Sequence, residues 1–323
     1  MVKVKVVADS ISEEKVRLIT IEAEYPRIIH SELMTHRMFS RNSASSRAIP
    51  FNKMCEQLGG MPTKFGRNHA GMQDNGVHAE KVQHIELSHN GRATISHLSP
   101  EQAWVKALES SVYHSKAFSD AGYHKQVFNR LTEPFQMIKT VISSTEWSNF
   151  FWLRDDDAAD PTMRELAVAI KEAVAKSSPK LLSSNQWHLP YVHTEDGKYF
   201  LTVGGTELTL DDAKMVSAAR CAAVSYRNTD YTLEKCRSVW DSLIGSDKKH
   251  ASALEHQAKP MINSQSNLHG DVNFYFYPET WEKGITSVDK DCVLWSGNFR
   301  GWVQLRKTIE GENYEAQCKE LTD

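Results

Sequence analysis

The sequence predicts an α+β fold, a mixed or antiparallel sheet with packed helices, in which helices dominate. Three observations predict it. The N-terminal run Met1-Val2-Lys3-Val4-Lys5-Val6-Val7 alternates at the two-residue period of a strand. Apolar residues recur at helical spacing after Pro100 and again after Pro161, each proline being suited to a first helical turn. Tyr199 to Leu210 reads as a hairpin around Gly204-Gly205.

From the N-terminus, two strands flank an Asp-Ser-Ile-Ser-Glu turn, the second being Val16 to Glu22. Pro26 opens a helix with Ile28, Ile29 and Leu33 on its apolar side. Gly, His, Asn and Ser crowd residues 59–99, which read as an irregular insertion whose histidines, His69 to His97, lie at the surface. A helix follows from Pro100 to about Ala121, stopped by Gly122, and a second spans about His124 to Leu131. A third helical stretch after Pro134 ends near Arg154, and a fourth runs from Pro161 to about Lys176. Asp211-Asp212 offer an N-cap and an acidic first turn to the helix carrying Ala218 to Ala223. Residues 260–292, with Phe274-Tyr275-Phe276-Tyr277, form a second insertion, and a last packing helix holds Phe299 to Leu321. The whole chain, 1–323, is thus expected to be a single domain with two insertions and no internal repeat.

Composition narrows the function. Apolar residues make up 40% of the 323 and charged residues 24%, which is ordinary globular usage and predicts a packed core. Lys+Arg total 38 against 41 Asp+Glu, which argues against a nonspecific nucleic-acid binder. No apolar run approaches the roughly 20 residues that cross a bilayer, and the N-terminus lacks the apolar centre of a signal peptide. Cys55, Cys221, Cys236, Cys292 and Cys318 are scattered, odd in number and never paired as Cys-x-x-Cys. That predicts neither a disulfide framework nor a zinc site, and a cytoplasmic location. Asp155-Asp156-Asp157 reads as a solvated loop after a helix, and the His-x5-His spacing of His250 and His256 is weak for a metal. Trp147, Phe150, Phe151 and Trp152 at helical spacing read as core. No phosphate-binding glycine loop and no Gly-x-Gly-x-x-Gly fingerprint occur, so a nucleotide or flavin would bind outside a Rossmann unit.

The chemistry concentrates between Thr35 and Arg47. These thirteen residues hold Arg37, Arg41, Arg47, His36, Asn42 and four serines, with no acidic group. Guanidinium forks and short hydroxyls supply directed donors to phosphate or another oxyanion. A basic turn capped by Ser and Asn is the plain alternative.

The run His36-Arg37-x-x-Ser40-x-Asn42-x-x-Ser45-x-Arg47 resembles the signature of flavin-dependent thymidylate synthases, Arg-His-Arg-x-x-Ser-x-Asn-Glu-x-Ser-x-Arg. Glu24-Tyr25-Pro26-Arg27-Ile28-Ile29 resembles the strand-to-helix entry that precedes it. Three further blocks resemble the same family. Gly122 to Pro134 is similar to the helix whose arginine, Arg130 here, holds the nucleotide phosphate. Asn149-Phe150-Phe151-Trp152-Leu153-Arg154 is similar to Asn-Phe-Leu-x-Leu-Arg. Ala222-Ala223-Val224-Ser225-Tyr226 and His250-x-Ser252-x-Leu254-Glu255-His256 are similar to Ala-Arg-Val-Ser-Phe and His-x-Thr-Pro-Phe-Glu-His. The last two blocks come first in typical members and last here, as in a circular permutation. The chain also departs from the pattern at Thr35 and Ser43, at Ser143 and Thr145 where the family has a flavin-contacting Asn and Arg, and at Ala253 in place of Pro.

The resemblance implies reductive methylation of dUMP to dTMP by a homotetramer with sites at subunit interfaces. Methylenetetrahydrofolate, FAD and NADPH would be the cofactors. It implies that Ser45, Arg47 and Arg130 hold the phosphate, with Glu32 on the same substrate side, and that Arg154, with Ser45, acts on the pyrimidine without a covalent cysteine. It gives the flavin and folate side to His36, Arg37, Asn42, Asn149, Ser225, His250, Ser252 and Glu255. Glu32 is also expected to pair with Arg37. The altered flavin contacts leave two alternatives open, a flavin-dependent dUMP hydroxymethyltransferase and a nucleotide-binding protein of the same fold that has lost catalysis.

Overall fold

The computed structural model describes residues 2–88, 90–202, 205–224, 231–262 and 281–313. Two ten-residue strands open the chain. β1 (Lys3–Ser12) and β2 (Arg17–Pro26) pair antiparallel, with Lys3 opposite Glu24 and Ile11 opposite Arg17. The turn between them falls after Ser12, with Lys15 at φ 65°. Asp9 to Ser12, expected to turn, is therefore strand. Its polar side chains find tertiary partners: Asp9 takes the Arg17 guanidinium at 2.8 and 2.6 Å, and Ser12 accepts the Val16 N–H.

A 3-10 turn at Arg27–Ile29 leads into α1 (His30–Leu33), the helix entry expected after Pro26. β3 (Ser40–Ser43) follows, then a 3-10 turn at Ser46–Ala48 and α2 (Phe51–Cys55). The 59–99 stretch is not wholly irregular, because β4 (Val82–Leu87) and β5 (Ala93–Leu98) form an exposed hairpin within it. α3 (Pro100–Asp120) starts at a Ser99–Gln102 capping box and stops at Gly122, whose φ of 83° suits glycine. α4 (Lys125–Phe128) runs into a 3-10 segment, Asn129–Phe135.

The third helix expected between Pro134 and Arg154 is two elements. β6 (Met137–Ser144) is a strand, and only α5 (Ser148–Arg154) is helical. Met-Ile-Lys-Thr-Val-Ile-Ser-Ser is rich in β-branched residues and buried on both faces, so it lacks the polar alternation that marks a half-exposed strand. α6 (Pro161–Ala175) matches the expected helix and is capped by Asp160.

β7 (Lys180–Leu182) completes a five-stranded sheet of order β3-β6-β2-β1-β7. Only the β1–β7 pairing is parallel, so the sheet is mixed. β8 (His193–Glu195), β9 (Lys198–Phe200) and β10 (Glu207–Leu208) make a small sheet beside it, and Gly204 of the expected turn lies outside the described residues. α7 (Leu210–Ala223) is capped by Thr209, and the two aspartates sit inside its first turn. α8 (Leu233–Ile244), a 3-10 turn at Ala251–Glu255 and β11 (Ala258–Pro260) follow. Phe274 to Tyr277 lie outside the described residues.

β12 (Ser287–Val288), β13 (Leu294–Ser296), β14 (Phe299–Arg300) and β15 (Trp302–Gln304) precede the four-residue α9 (Leu305–Thr308). The long terminal helix expected from Phe299 is thus, over its described part, two short strands and a single helical turn. Gly301, at φ 69°, separates β14 from β15, and β15 pairs with β11. Among the described residues α-helices hold more of the chain than strands, as expected.

Alternation along β2 distributes its side chains. Ile19, Ile21, Ala23 and Tyr25 pack against Met163, Leu166, Ala167 and Ile170 of α6. On the opposite face Leu18 meets Ala258, Phe299 and Trp302, while Val141 of β6 meets Ala218, Cys221, Ala253 and Leu254. The sheet is covered on both faces, which accounts for strands that are buried nearly throughout.

Candidate functional site

The Thr35–Arg47 segment is a hub, joined by hydrogen bonds to the 122–134, 149–154 and 250–256 blocks. Arg154, at the end of α5, donates from Nε to His36 Nε2 at 3.0 Å; its terminal nitrogens lie 3.5 Å from Thr35 Oγ1 and from Glu32 Oε2. Asn129 donates from Nδ2 to the carbonyls of Ser46 and Ile49, both at 2.8 Å, so the 122–134 block is clamped to the turn that carries Arg47. Asn42 of β3 lies 3.4 Å from His256 Nε2, in the 250–256 block.

The Arg154 cluster has a defined protonation state. Burial, then Arg154 and Arg41, lower the His36 pKa to about 4, so its imidazole is neutral and offers a lone pair to the Arg154 N–H. Burial, together with Asp160, raises the Glu32 carboxyl above its ordinary value, and Arg154 opposes that rise. Glu32 therefore pairs with Arg154 and not with Arg37, which is exposed. Arg41 points back, donating to the Leu33 carbonyl at 2.9 Å.

The phosphate-assigned residues are arranged differently. Ser45 precedes the Ser46–Ala48 turn and is half-buried; Arg47 and Arg130 are exposed, on two 3-10 turns joined through Asn129. Among the described residues no hydrogen bond or ion pair joins Arg47 or Arg130 to Arg154. Ser46 and Arg27 both bind Glu133, at 3.1 Å for Arg27, which holds the same two turns together.

Of the flavin-assigned residues, Arg37, Asn149, His250 and Ser252 are exposed. Glu255 is bound by Arg306, whose Nε also reaches Glu312 at 2.6 Å. Ser225 lies outside the described residues. Ser143 is wholly buried in hydrogen bonds to Thr20 and His256, and Thr145 Oγ1 accepts the Arg300 N–H at 3.1 Å; neither faces an open site. The aromatic cluster divides, with Trp147 and Phe150 buried and Trp152 76% exposed. Asp155, Asp156 and Asp157 bind Lys171, the Ala158 N–H and Arg164, as a solvated loop does.

Several contributors escaped the sequence. Asn129 and Arg41 lay inside matched blocks at unassigned positions. Ser10, Thr20 and His188 form with Ser143 and His256 a buried polar line across the sheet. The available signal was a hydroxyl at inward positions of otherwise apolar strands. Among the described residues no group of three or more His, Cys, Asp or Glu is placed to hold a metal, and no helix is long and apolar enough to cross a membrane. Cys55, Cys221, Cys236 and Cys292 are free thiols.

No protein-family profile and no curated protein matches this chain. Among solved structures it is similar to the UMP/dUMP methylase PolB from Streptomyces cacaoi bound with 5-Br dUMP, at 12% identity over 55% of this chain and 90% of that one, with a TM-score of 0.39. The same methylase bound with 5-Br UMP gives 13% identity, 55% and 89% coverage and a TM-score of 0.40. Those scores leave the chemistry to this chain's own residues.

Proposed function

We propose that this chain is a one-carbon transferase acting on a dUMP-type nucleotide, in the manner of a flavin-dependent thymidylate synthase. The observation that carries the reading is convergence. The Arg154–His36 contact spans 118 residues and the His256–Asn42 contact 214, yet both end on the segment with the thymidylate synthase-like signature. Blocks matched independently in sequence meet in space, whatever their order along the chain.

On this reading Ser45, Arg47 and Arg130 receive the phosphate, and the exposure of the two arginines suits an incoming anion. Arg154 stabilises charge on the pyrimidine carbonyl. Its guanidinium is held by a neutral imidazole on one side and Glu32 on the other, so it is oriented before substrate arrives. Reduced FAD would supply hydride, NADPH would recharge it, and methylenetetrahydrofolate would supply the carbon. Among the described residues, those assigned to flavin do not form an enclosed cradle within one chain, since four are exposed and Glu255 is engaged by Arg306. A second copy would have to close that site, as in a homotetramer with sites between subunits.

The burial of Ser143 and the use of Thr145 by Arg300 favour a second reading, altered flavin handling and a hydroxymethyl product. One experiment separates the readings. The purified protein is scanned across the flavin bands with and without dUMP, then incubated with dUMP, methylenetetrahydrofolate, FAD and NADPH, and the product is weighed by mass spectrometry. A methyl gain that Arg154→Ala abolishes while retaining the wild-type circular dichroism supports the first reading, and a hydroxymethyl gain the second. A colourless protein that FAD does not reconstitute, with dUMP unchanged, overturns both.

A further inference from the structure

Six polar groups run in one line across four adjacent strands. Ser10 of β1, Thr20 of β2, Ser143 of β6 and Asn42 of β3 are linked through His188 and His256. The distances are 2.8 Å from Ser10 Oγ to His188 Nδ1, 2.8 Å from His188 Nε2 to Thr20 Oγ1, 2.6 Å from Thr20 to Ser143, and 2.8 Å from Ser143 to His256 Nδ1. Both imidazoles and both central hydroxyls are at most 1% exposed, so no solvent completes their hydrogen bonding.

The direction of every bond follows from one end. The Asn42 amide terminus 3.4 Å from His256 Nε2 also faces the carbonyls of Ser252 at 3.2 Å and Arg41 at 3.0 Å, two acceptors met by the two hydrogens of an NH2 assigned there. His256 Nε2 beside that NH2 carries a lone pair, which puts its proton on Nδ1, donating to Ser143. Ser143 then donates to Thr20, Thr20 to His188 Nε2, and His188 Nδ1–H to Ser10. With the Ser143 and His256 bonds fixed, reversing any later link strands a buried hydroxyl proton. Ser10 is left to donate into a cavity of about 180 Å³ under β1, lined also by Asp9, Lys180, Gln186, Thr194 and Tyr199.

We infer that this line is a polarised relay, in which His188 and His256 are positioning residues whose coupled tautomers tie the Asn42 amide of the hub strand to the Ser10 cavity at β1, along one face of the sheet. The inference stands on the hydrogen-bond geometry and is independent of the reaction proposed above. A change of hydrogen-bonding character at Asn42 must propagate to His188, three strands away, because each intermediate group has one donor and must turn with its neighbour.

Nitrogen-15 NMR of the imidazoles tests it, with His188→Gln and His256→Gln used to assign the two rings. Both are expected as Nδ1–H tautomers in the wild-type chain; an Nε2–H tautomer at either overturns the polarity. Asn42→Asp replaces the donor with an acceptor, and His188 is expected to switch to the Nε2–H form. A His188 that keeps Nδ1–H in that variant, whichever state His256 adopts, overturns the coupling. Should Asn42→Asp fail to fold, the wild-type tautomers still decide the polarity on which the coupling depends.

Discussion

Acid should destabilise this protein earlier than its carboxylates alone would, because His188 and His256 are folded in as neutral rings. Burial lowers each pKa from 6.5 to about 3; Asp9 opposes this at His188, and His188 adds to it at His256. The unfolded chain, with ordinary imidazoles, binds more protons than the native one between pH 6.5 and 3. Stability is therefore complete above pH 6.5 and declines as pH falls through that window. From pH 7 to pH 5 each ring should cost about 2 kcal/mol, and the two together about 4 kcal/mol, at about 1.4 kcal/mol per pH unit per ring. His36 and His30, both lowered to about 4 mainly by burial, add in the same direction. Urea unfolding at pH 7, 6 and 5, on wild type and on a His188→Gln/His256→Gln variant, isolates the pair, since His30 and His36 contribute to both proteins. The variant should start less stable at pH 7 and lose about 4 kcal/mol less on the way to pH 5. Parallel curves would mean that the two rings titrate as they do in water, and the burial argument would fail.

Other expectations follow from single contacts. Asn129→Ala removes two buried 2.8 Å bonds to the Ser46 and Ile49 carbonyls and should cost about 2–4 kcal/mol in urea, loosening the turn that carries Arg47. Trp302→Ala empties a fully buried site and breaks the indole bond to the Val16 carbonyl; about 3–5 kcal/mol should be lost. Trp152→Ala, at a residue 76% exposed, should move stability by no more than about 0.5 kcal/mol. If exposed Arg47 and Arg130 receive the phosphate, calorimetric dUMP affinity should fall steeply between low salt and about 1 M salt, where the Debye length is about 3 Å, while deoxyuridine affinity stays level.

Which elements were legible in the sequence follows from how locally each is determined. α3 and α6 have their own local signals, Pro100 and Pro161 at their first turns and Gly122 as the stop of α3, so they could be read without the rest of the chain. β6 could not be read that way. Its pattern makes sense only once β2 and β3 flank it and both faces are covered, a fact about partners far away in sequence. The same holds for Trp302 and Val303, whose strand pairs with Lys259 and Pro260 across a segment of some forty residues. Apolar runs of that length fit helix and strand equally well, and only tertiary context decides between them.

The site divides along the same line. The 35–47 segment was visible because thirteen consecutive residues hold its donors, and Arg154 was visible because a motif surrounds it. His188 had no such marker, since its meaning comes from Ser10 and Thr20, which are 178 and 168 residues away. Those hydroxyls are themselves informative. A serine or threonine at an inward strand position must find a partner or leave a buried polar group unsatisfied, at a cost of about 1–3 kcal/mol. Three strands each contribute one such hydroxyl along a single line and β3 adds the Asn42 amide, so the polar line is a feature the sheet can keep only by keeping its register. A one-residue slip of β2 would turn Thr20 away from Ser143 and His188 together and leave each of the three buried groups short of a partner. The relay and the strand register are therefore one constraint, and β3, with Asn42 at the end of the line, is held by it where the 149–154 and 250–256 blocks converge.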